Sequence, residues 1–325
     1  MKNTDHTRAA LIVRLPNWVG DVVMTLPALQ ALQKCGIELF LFGQPWMLDL
    51  LSATGKNLFV ITNDFWQNTA KIANVSTADK ALLLTNSFSS ALMARLGGKL
   101  PVGYKTDGRR LLLNAGLVKP PAQHEVQYFW NIVRFAVEHW FPKIEWVEPI
   151  PTRITLPLSP EAHIVANQIL HSNHIDKPFW VISPFARGVG INNKTKIWPY
   201  WHELSKELSR RYQLVICPGI DDEASCTEFA SNAIILRGLN LSEYAVIMAS
   251  AEQVIANDSG PMHIAAAVGA KTLGIFGASP PQRCRPWGAD YLGSENTWPS
   301  VAEVLSFLSS ASCSIEFMKP ENQSD

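Results

Sequence analysis

A polar, glycine-containing motif in the second half of the chain has the composition of a phosphate-binding site. It reads NDSGPMH over residues 257–263, between a buried apolar run and a run of alanines. Pro261 suits the first position of a helix, and Asp258 or Ser259 can cap it. The free amides at such a helix start bind anions, and Gly260 lets a ligand approach the backbone. The motif predicts a phosphate site facing His263; the alternative is a capped helix with an ordinary hydrogen-bonded histidine.

Two further loops bring charged side chains to the ends of predicted strands in the same half. Lys194 and Lys196 precede the helix start at Pro199, and Asp222 and Glu223 follow a predicted strand at residues 213–217. A lysine there can meet a diphosphate, and one of the two acids can accept hydrogen bonds from ribose or sugar hydroxyls. Taken alone, each lysine is better explained as a solvated surface residue, and the acid is equally well explained as a charge at a helix N-terminus. Together with the phosphate motif, the loops predict a nucleotide-sugar pocket.

The first half carries a single carboxylate beside a glycine, Gly20-Asp21, in the loop after the first predicted strand. Sugar transfer from a nucleoside diphosphate requires one base for the acceptor hydroxyl, because the diphosphate leaves as a stabilised anion. Glycoside hydrolases instead require two carboxylates that flank the scissile bond. Asp21 is therefore a candidate general base, and the alternative is a plain helix cap.

The elements that must position these residues alternate between short β-rich runs and amphipathic helices, which predicts an α/β fold with parallel strands. One series runs from a strand at residues 9–15 to a helix at 125–140, and a proline-rich connection follows at 141–160. We expect two Rossmann-like domains facing a cleft, with a last helix that can pack back onto the first domain. The predicted domains are residues 1–155 and 156–317, followed by a flexible tail at 318–325.

The composition excludes several classes of protein. The 28 basic and 28 acidic residues give a formal net charge of zero, so no global field favours nucleic acid. The five cysteines are scattered, which indicates reduced thiols and a cytoplasmic location rather than disulfides or zinc. No HExxH, DxD or Cys/His cluster is present, and we expect no metal. The absence of GxGxxG and Walker A motifs weakens the dinucleotide and NTPase alternatives.

A series of stretches, in chain order, resembles glycosyltransferase family 9, the ADP-heptose:lipopolysaccharide heptosyltransferases. The two most specific are LPNWVGDVVMTLPAL at residues 15–29 and NDSGPMHIAAA at residues 257–267. Shorter similar stretches are NSFSSA at 86–91, VGY at 102–104, GR at 108–109, KIWP at 196–199 and FGASP at 276–280. The resemblance therefore covers about residues 10 to 290.

This resemblance implies the GT-B fold, inversion at the anomeric carbon, ADP-heptose as the donor and the heptosylated Kdo–lipid A inner core as the acceptor. It implies no cofactor, and it assigns Asp21 as the general base. It implies that the diphosphate is held by Lys196, Ser259, Gly260 and His263, and that Asp258 meets the sugar or phosphate edge. Either Asp222 or Glu223 is the implied acidic contact of the donor, and Lys194 is a donor-binding candidate from its position alone. The candidate acceptor-binding residues are Asn17, Gly20, Lys105, Arg109 and Arg110. The last three form a short basic patch that can meet carboxylates or phosphates; for each of the three taken separately, a solvated surface residue is the stronger alternative.

Because the implied acceptor is embedded in a membrane, we expect peripheral contact with the inner membrane. The loop at residues 183–188 departs from the family's small-residue form, so the donor is less defined than the reaction class. The alternatives are a family 9 transferase with a different nucleotide sugar, an epimerase on the same fold, or a non-catalytic sugar-nucleotide- or lipopolysaccharide-binding protein.

Overall fold

The computed structural model describes residues 9–54, 57–229 and 231–316. The first of its two sheets contains β1 (Ala10–Arg14), β2 (Glu38–Gly43), β3 (Leu58–Val60), β4 (Lys80–Leu83), β5 (Leu100–Tyr104) and β6 (Ala115–Leu117). The accompanying helices are α1 (Val19–Lys34), α2 (Met47–Leu50), α3 (Phe65–Ala73), α4 (Phe88–Leu96) and α5 (Glu125–Trp140). All neighbouring strands pair in parallel, in the order β3-β2-β1-β4-β5-β6.

The second sheet contains β7 (Phe179–Ser183), β8 (Gln213–Ile216), β9 (Ile234–Ile235), β10 (Gln253–Asn257), β11 (Thr272–Phe276) and β12 (Asp290–Gly293). Its helices are α6 (Pro160–Ser172), α7 (Trp201–Leu208), α8 (Leu241–Ser250), α9 (Gly260–Ala267), α10 (Pro281–Cys284) and α11 (Val301–Glu316). The parallel order β12-β11-β10-β7-β8-β9 repeats the winding of the first sheet. The expected α/β architecture is confirmed.

Both faces of each sheet are buried, which explains the continuous apolar runs of the central strands. In β1, Leu11 and Val13 enter the core on one face, whereas Ala10 and Ile12 enter the core on the other. Because helices cover both faces of a parallel sheet, its strands have no polar side. Such runs predict buried strands but do not specify the order of the strands.

The winding of each sheet opens a crevice at its centre. The chain winds outward in opposite directions from β1 and β4, so the loops after these two strands diverge; β7 and β10 form the equivalent pair. Ligands of doubly wound sheets bind at such switch points, beyond the carboxyl ends of the strands. The phosphate motif follows β10 and the Gly20-Asp21 loop follows β1, so each predicted motif lies at a crevice.

The two halves are held together by helix packing and by a tethered connection. Helices α1 and α9 pack against each other, as do α2 and α8. The connection between α5 and α6 is fixed by Trp287 Nε1, which donates to Pro151 O at 2.7 Å, and by Gln30 Nε2, which donates to Thr155 O at 2.8 Å. The predicted boundary after residue 155 falls within this connection.

Some elements differ from the sequence-based expectations. Strands β5 and β6 are missing from the prediction because they contain Pro101, Gly103 and Gly116, which ordinarily indicate turns. The predicted helix from residue 222 is a 3-10 segment, Ile220–Phe229.

The last helix also differs from the expectation. In α11, Val301, Val304 and Leu308 pack into the core beside the second sheet, so the expectation that it packs on the first domain is wrong for its described side chains. The predicted tail at residues 318–325 lies outside the described residues. No helix in the described ranges is long and apolar enough to span a membrane.

Candidate active site

The start of α9 presents a buried carboxylate that holds a lysine. Asp258 directly follows β10, and its side chain is 5 % exposed. Its Oδ2 accepts a hydrogen bond from Lys196 Nζ at 2.7 Å and another from Ser279 Oγ. A buried carboxylate is stable only when it is paired and hydrogen-bonded, and both conditions are met here. Lys196 is therefore fixed at the N-terminus of α9, which is where an anion binds.

The asparagine that precedes this carboxylate fixes the loop that carries the lysine. Asn257 is fully buried, and its Oδ1 accepts from the Trp198 backbone N–H and from Trp201 Nε1, each at 3.0 Å. The segment after Lys196 is thereby attached to the end of β10. One buried side chain therefore holds the KIWP and NDSG stretches next to each other.

His263, one turn into α9, is a neutral, buried imidazole with an unused polar atom. The side chain is 4 % exposed, and its Nδ1 has no hydrogen-bond partner. Burial lowers the pKa of the imidazole to about 4, so the ring carries no charge at neutral pH. An unpartnered buried nitrogen is costly, and a ligand phosphate oxygen in the adjoining cavity can satisfy it.

The imidazole also marks where the two domains touch. A Cβ added to Gly20 in α1 would lie 2.7 Å from His263 Cδ2, and a Cβ added to Gly260 would lie 3.2 Å from Val19 Cβ. The first turns of α1 and α9 therefore approach through a glycine on each helix. This close approach brings Asp21 to the phosphate motif.

We predict that Gly20→Ala weakens this domain contact. The added methyl group requires a buried ring to move, which typically destabilises a packed site by about 1–3 kcal/mol. In a His263→Ala background the same change should be neutral, or stabilising by about 1 kcal/mol from helix propensity. Unfolding free energies of the four proteins in this cycle measure the coupling. An equal effect of Gly20→Ala in both backgrounds would contradict the proposed clash.

Asp21 lies in the first turn of α1, at the interface between the two domains. Burial, and secondarily the charge of Glu125, raise the pKa of this carboxyl from its ordinary 3.8 to about 6, although Arg283 and Lys196 oppose the shift. A carboxylate with this pKa is ionised at neutral pH yet more basic than an exposed aspartate. These are the properties that a general base requires.

Three adjoining cavities meet around these residues. A polar cavity of about 630 Å³ is lined by Asp21, Lys196 and His263. A more apolar cavity of about 380 Å³ lies next to it, between Tyr244 and Ile264 of the second domain and Trp18 and Trp46 of the first. A third cavity, of about 280 Å³, lies on the first domain at the loops after β1 and β4. The polar cavity and the first-domain cavity share the residues Trp18, Asp21, Glu125 and Arg283.

An ion pair joins the two domains beside Asp21. Arg283 of α10 donates from Nε to Glu125 Oε1 at 3.0 Å, and a second guanidinium nitrogen donates to the same oxygen. The Glu125 side chain, at the start of α5, is only 16 % exposed. Nearby, His124 Nε2 donates to Arg285 O at 2.9 Å, since its Nδ1 already accepts from the Val126 N–H. The pair places a second carboxylate and a cation in the two cavities that Asp21 also lines.

Comparison with known proteins identifies the family. Residues 71–307 match the model of glycosyltransferase family 9 (heptosyltransferase). The chain belongs to glycosyltransferase family 9. It is 25 % identical over 315 residues to lipopolysaccharide heptosyltransferase 2 of Escherichia coli (strain K12), with 85 % of each chain covered. The resemblance seen in the sequence motifs is confirmed, and the protein is a glycosyltransferase.

Solved structures support the GT-B fold of this family 9 glycosyltransferase. The structure of E. coli ADP-heptose lipopolysaccharide heptosyltransferase II superposes with a TM-score of 0.75 at 22 % identity, over 94 % of this chain and 99 % of that one. A family 9 glycosyltransferase from Veillonella parvula DSM 2008 gives a TM-score of 0.74 at 16 % identity, over 94 % and 89 % of the two chains. At these identities the likeness shows the fold alone.

The glycosyltransferase brings together most of the predicted donor-binding residues. Asp258, Ser259, Gly260, His263 and Lys196 all line the polar cavity. Asp222 lines the apolar cavity, whereas Glu223 faces Arg237, with 3.8 Å between Oε2 and Nε. Lys194 is exposed and is not among the residues lining the three cavities.

The acceptor-binding prediction is only partly consistent with the structure. Asn17 lines the first-domain cavity, and Gly20 lines the polar cavity. Lys105 is exposed directly after β5, and Arg110 is exposed in a 3-10 helix, Arg109–Leu111. The expectation that Arg109 is a surface cation is wrong.

Arg109 is 0 % exposed because its guanidinium group is consumed by internal hydrogen bonds. It donates to the carbonyl oxygens of Thr85 and Tyr104 and to Asn86 Oδ1. Tyr128 also donates to Asn86 Oδ1, at 3.0 Å. Arg109 therefore positions Asn86, which lines the first-domain cavity, and it makes no open patch with its neighbours.

Several cavity residues are absent from the sequence prediction: Trp18, Asn86, Lys119, Glu125, Tyr128, Arg187, Ser279 and Arg283. Asn86 lies in a stretch that resembles the family, so its position after β4 was a usable signal. Glu125 and Arg283 carry no such signal, because each lies on a helix whose partner is in the other half of the chain.

Proposed function

We propose that this enzyme transfers heptose from ADP-heptose to the heptosylated inner core of lipopolysaccharide, with inversion at the anomeric carbon. The observation that carries the proposal is the position of Asp21. This carboxylate lies where the polar cavity joins the first-domain cavity, across from the start of α9, which is the predicted anion site. The E. coli relatives, named for heptosyl transfer to lipopolysaccharide and for ADP-heptose, support these substrates.

In the proposed reaction, an acceptor hydroxyl in the first-domain cavity gives its proton to Asp21. The oxygen attacks the anomeric carbon of the donor from the face opposite the diphosphate, and the bond between that carbon and the phosphate oxygen breaks. The bonding electrons leave with ADP, whose charge is stabilised by Lys196 and by the amides at the start of α9. His263, kept neutral by burial, can donate a ring N–H without adding charge.

In this proposal the apolar cavity holds the nucleoside. Tyr244, Leu241 and Ile264 provide apolar walls for a base, and the Asp222 carboxylate can accept hydrogen bonds from ribose hydroxyls. The diphosphate then requires no divalent ion, because a lysine and a helix N-terminus neutralise it. Among the described residues, no group of three or more His, Cys, Asp or Glu side chains is arranged to hold a metal. Activity should therefore persist in EDTA.

The first-domain cavity is the proposed acceptor site. Asn86 and Lys119 line it and offer an amide and a cation to a sugar acid. Lys105 and Arg110 are exposed cations in the segment after β5. We propose that the enzyme works in the cytoplasm, in peripheral contact with the membrane that anchors the acceptor.

The test is an assay with ADP-heptose and a lipopolysaccharide core truncated after its first heptose, with and without EDTA. We expect ADP release that depends on the acceptor, a mass gain of one heptose, and an inverted anomeric configuration by NMR. Turnover only with another nucleotide sugar would indicate a different family 9 donor. Tight nucleotide-sugar binding with no turnover on any acceptor would favour a binding protein.

The pH dependence of the reaction tests the environment of the base. In the unmodified enzyme, kcat/KM should fall as the pH drops through about 6, because protonated Asp21 cannot accept a proton. Glu125→Gln removes a charge that raises this pKa and frees Arg283, which lowers it, so the acidic limb should move to lower pH. Glu138→Gln, on the exposed face of the same helix, is the matched control. A limb that stays in place in Glu125→Gln would contradict this electrostatic account.

A further inference from the structure

The apolar and polar cavities meet between the two domains. Five residues line both cavities: Trp18, Gly20, Arg187, Ser259 and Gly260. Arg187 is the charged member of this set. A nucleotide sugar whose base lies in the apolar cavity and whose sugar lies in the polar cavity must place its diphosphate at this junction. The loop that carries Arg187 follows β7, so it faces the start of α9 across the switch point of the sheet.

The other two cations of the polar cavity are already paired with shielded carboxylates. Lys196 pairs with Asp258, and Arg283 pairs with Glu125. Arg187 pairs instead with Asp221, with 2.6 Å between a guanidinium nitrogen and Oδ2. The Asp221 side chain is 73 % exposed and is not among the residues lining the cavities. An ion pair so open to water contributes little to stability, so Arg187 can exchange this partner at small cost.

The surroundings of Arg187 place its guanidinium group beside the nucleotide site. A Cβ added to Gly219 would lie 3.5 Å from an Arg187 guanidinium nitrogen and 3.2 Å from Asp222 Oδ2. The far end of the loop is fixed, because the Ile191 N–H donates to Ala278 O at 2.7 Å. A Cβ on Gly190 would lie 2.0 Å from the same oxygen, so this anchor requires glycine. The arginine thus extends from an anchored loop over the predicted position of the ribose and diphosphate.

We propose that Arg187 binds the diphosphate of the donor and exchanges its ion pair with Asp221 for this contact. The planar guanidinium group can donate two parallel hydrogen bonds to phosphate oxygens, which is a geometry that Lys196 cannot provide. Arg187 would also counter the charge that builds up on the leaving diphosphate. This inference rests on the proposed nucleotide-sugar donor, but it does not depend on which base or sugar the donor carries.

The experiment compares the binding of ADP, AMP and adenosine by isothermal titration, with the weaker ligands measured by displacement. Loss of a hydrogen bond to a charged group predicts that Arg187→Ala weakens ADP about 10-fold or more. Adenosine affinity should stay within about twofold, because no phosphate contact is lost. Asp221→Ala should bind ADP as tightly as the unmodified enzyme, or more tightly. Arg237→Ala is the matched control. This half-exposed arginine pairs with Glu223, which lies in the same 3-10 segment as Asp221.

The outcomes separate a binding role from a structural one. If Asp221→Ala weakens ADP as much as Arg187→Ala does, the ion pair merely shapes the loop and the proposal is wrong. Equal losses for ADP and adenosine in Arg187→Ala also overturn it. If the unmodified enzyme binds UDP or GDP but not ADP, the proposed donor is wrong, and the same comparison with that nucleotide decides the role of Arg187. If no nucleoside diphosphate binds, both proposals fail.

Discussion

Asp21→Asn is expected to lower kcat about 10²–10⁴-fold, the usual contribution of a positioned general base. The amide keeps the shape of the side chain but cannot accept the proton of the acceptor hydroxyl. Donor binding should change little, because the residues that we propose to bind the diphosphate lie on the second domain. Single-turnover kinetics with saturating donor and acceptor separate the chemical step from binding.

The same substitution should make the folded protein more stable above pH 6. The carboxyl has a folded-state pKa of about 6, above its ordinary 3.8, so ionising it costs the folded state more than the unfolded chain. Stability from this group is therefore complete below about pH 4 and is lost as the pH rises through 6. Asparagine avoids that loss, which amounts to at most about 3 kcal/mol for a shift of about two units. Urea unfolding at pH 5 and pH 8 measures the difference.

Asp64→Asn is the matched control for both effects. Asp64 caps α3 by accepting the Gln67 N–H at 2.9 Å and is exposed, so its replacement should leave turnover unchanged. Retention of full activity by Asp21→Asn would remove Asp21 as the base and direct attention to Glu125. If Asp21→Asn were instead less stable at pH 8, the main role of Asp21 would be to charge the start of α1.

Lys196→Met is expected to cost both stability and donor affinity. It leaves the buried Asp258 carboxylate with the Ser279 hydroxyl but without a cation. An uncompensated buried charge of this kind destabilises the fold by about 3–5 kcal/mol. Loss of the lysine at the anion-binding helix start should also weaken ADP about 10-fold or more. Thermal unfolding and nucleotide titration measure the two effects separately.

A second lysine in the same loop, Lys194, provides the control for this prediction. Lys194→Met removes the same charge two residues away, from an exposed side chain. Its ADP affinity and its unfolding midpoint should match those of the unmodified enzyme. Equal effects of the two substitutions would mean that the general positive charge of the loop, rather than the pair with Asp258, determines binding. A stable Lys196→Met protein that binds ADP normally would remove Lys196 from the donor site.

The sequence by itself determined the local chemistry of this enzyme. Continuous apolar runs indicate parallel strands that are buried on both faces. Polar residues directly after such a run indicate a loop at the carboxyl edge of the sheet. Gly260 and Pro261 after β10 indicate an anion-binding helix start, and Gly20-Asp21 after β1 indicates one carboxylate at the other crevice. The structure has these residues at the predicted helix starts, because each position depends on neighbours within a few residues along the chain, whereas the anion binding stays a prediction.

Only the tertiary structure decided which distant residues meet. Glu125 and Arg283 are 158 residues apart, yet they form the ion pair beside Asp21. Arg109 and Arg110 are neighbours of the same residue type in the sequence. In the structure, Arg109 is buried and donates to Asn86 Oδ1, whereas Arg110 is exposed. Arg187 reaches the junction of two cavities because β7 lies next to β10 in the sheet. Such contacts depend on strand order and on the approach of α1 to α9, which arise from packing of the whole chain and leave no pattern in any short segment.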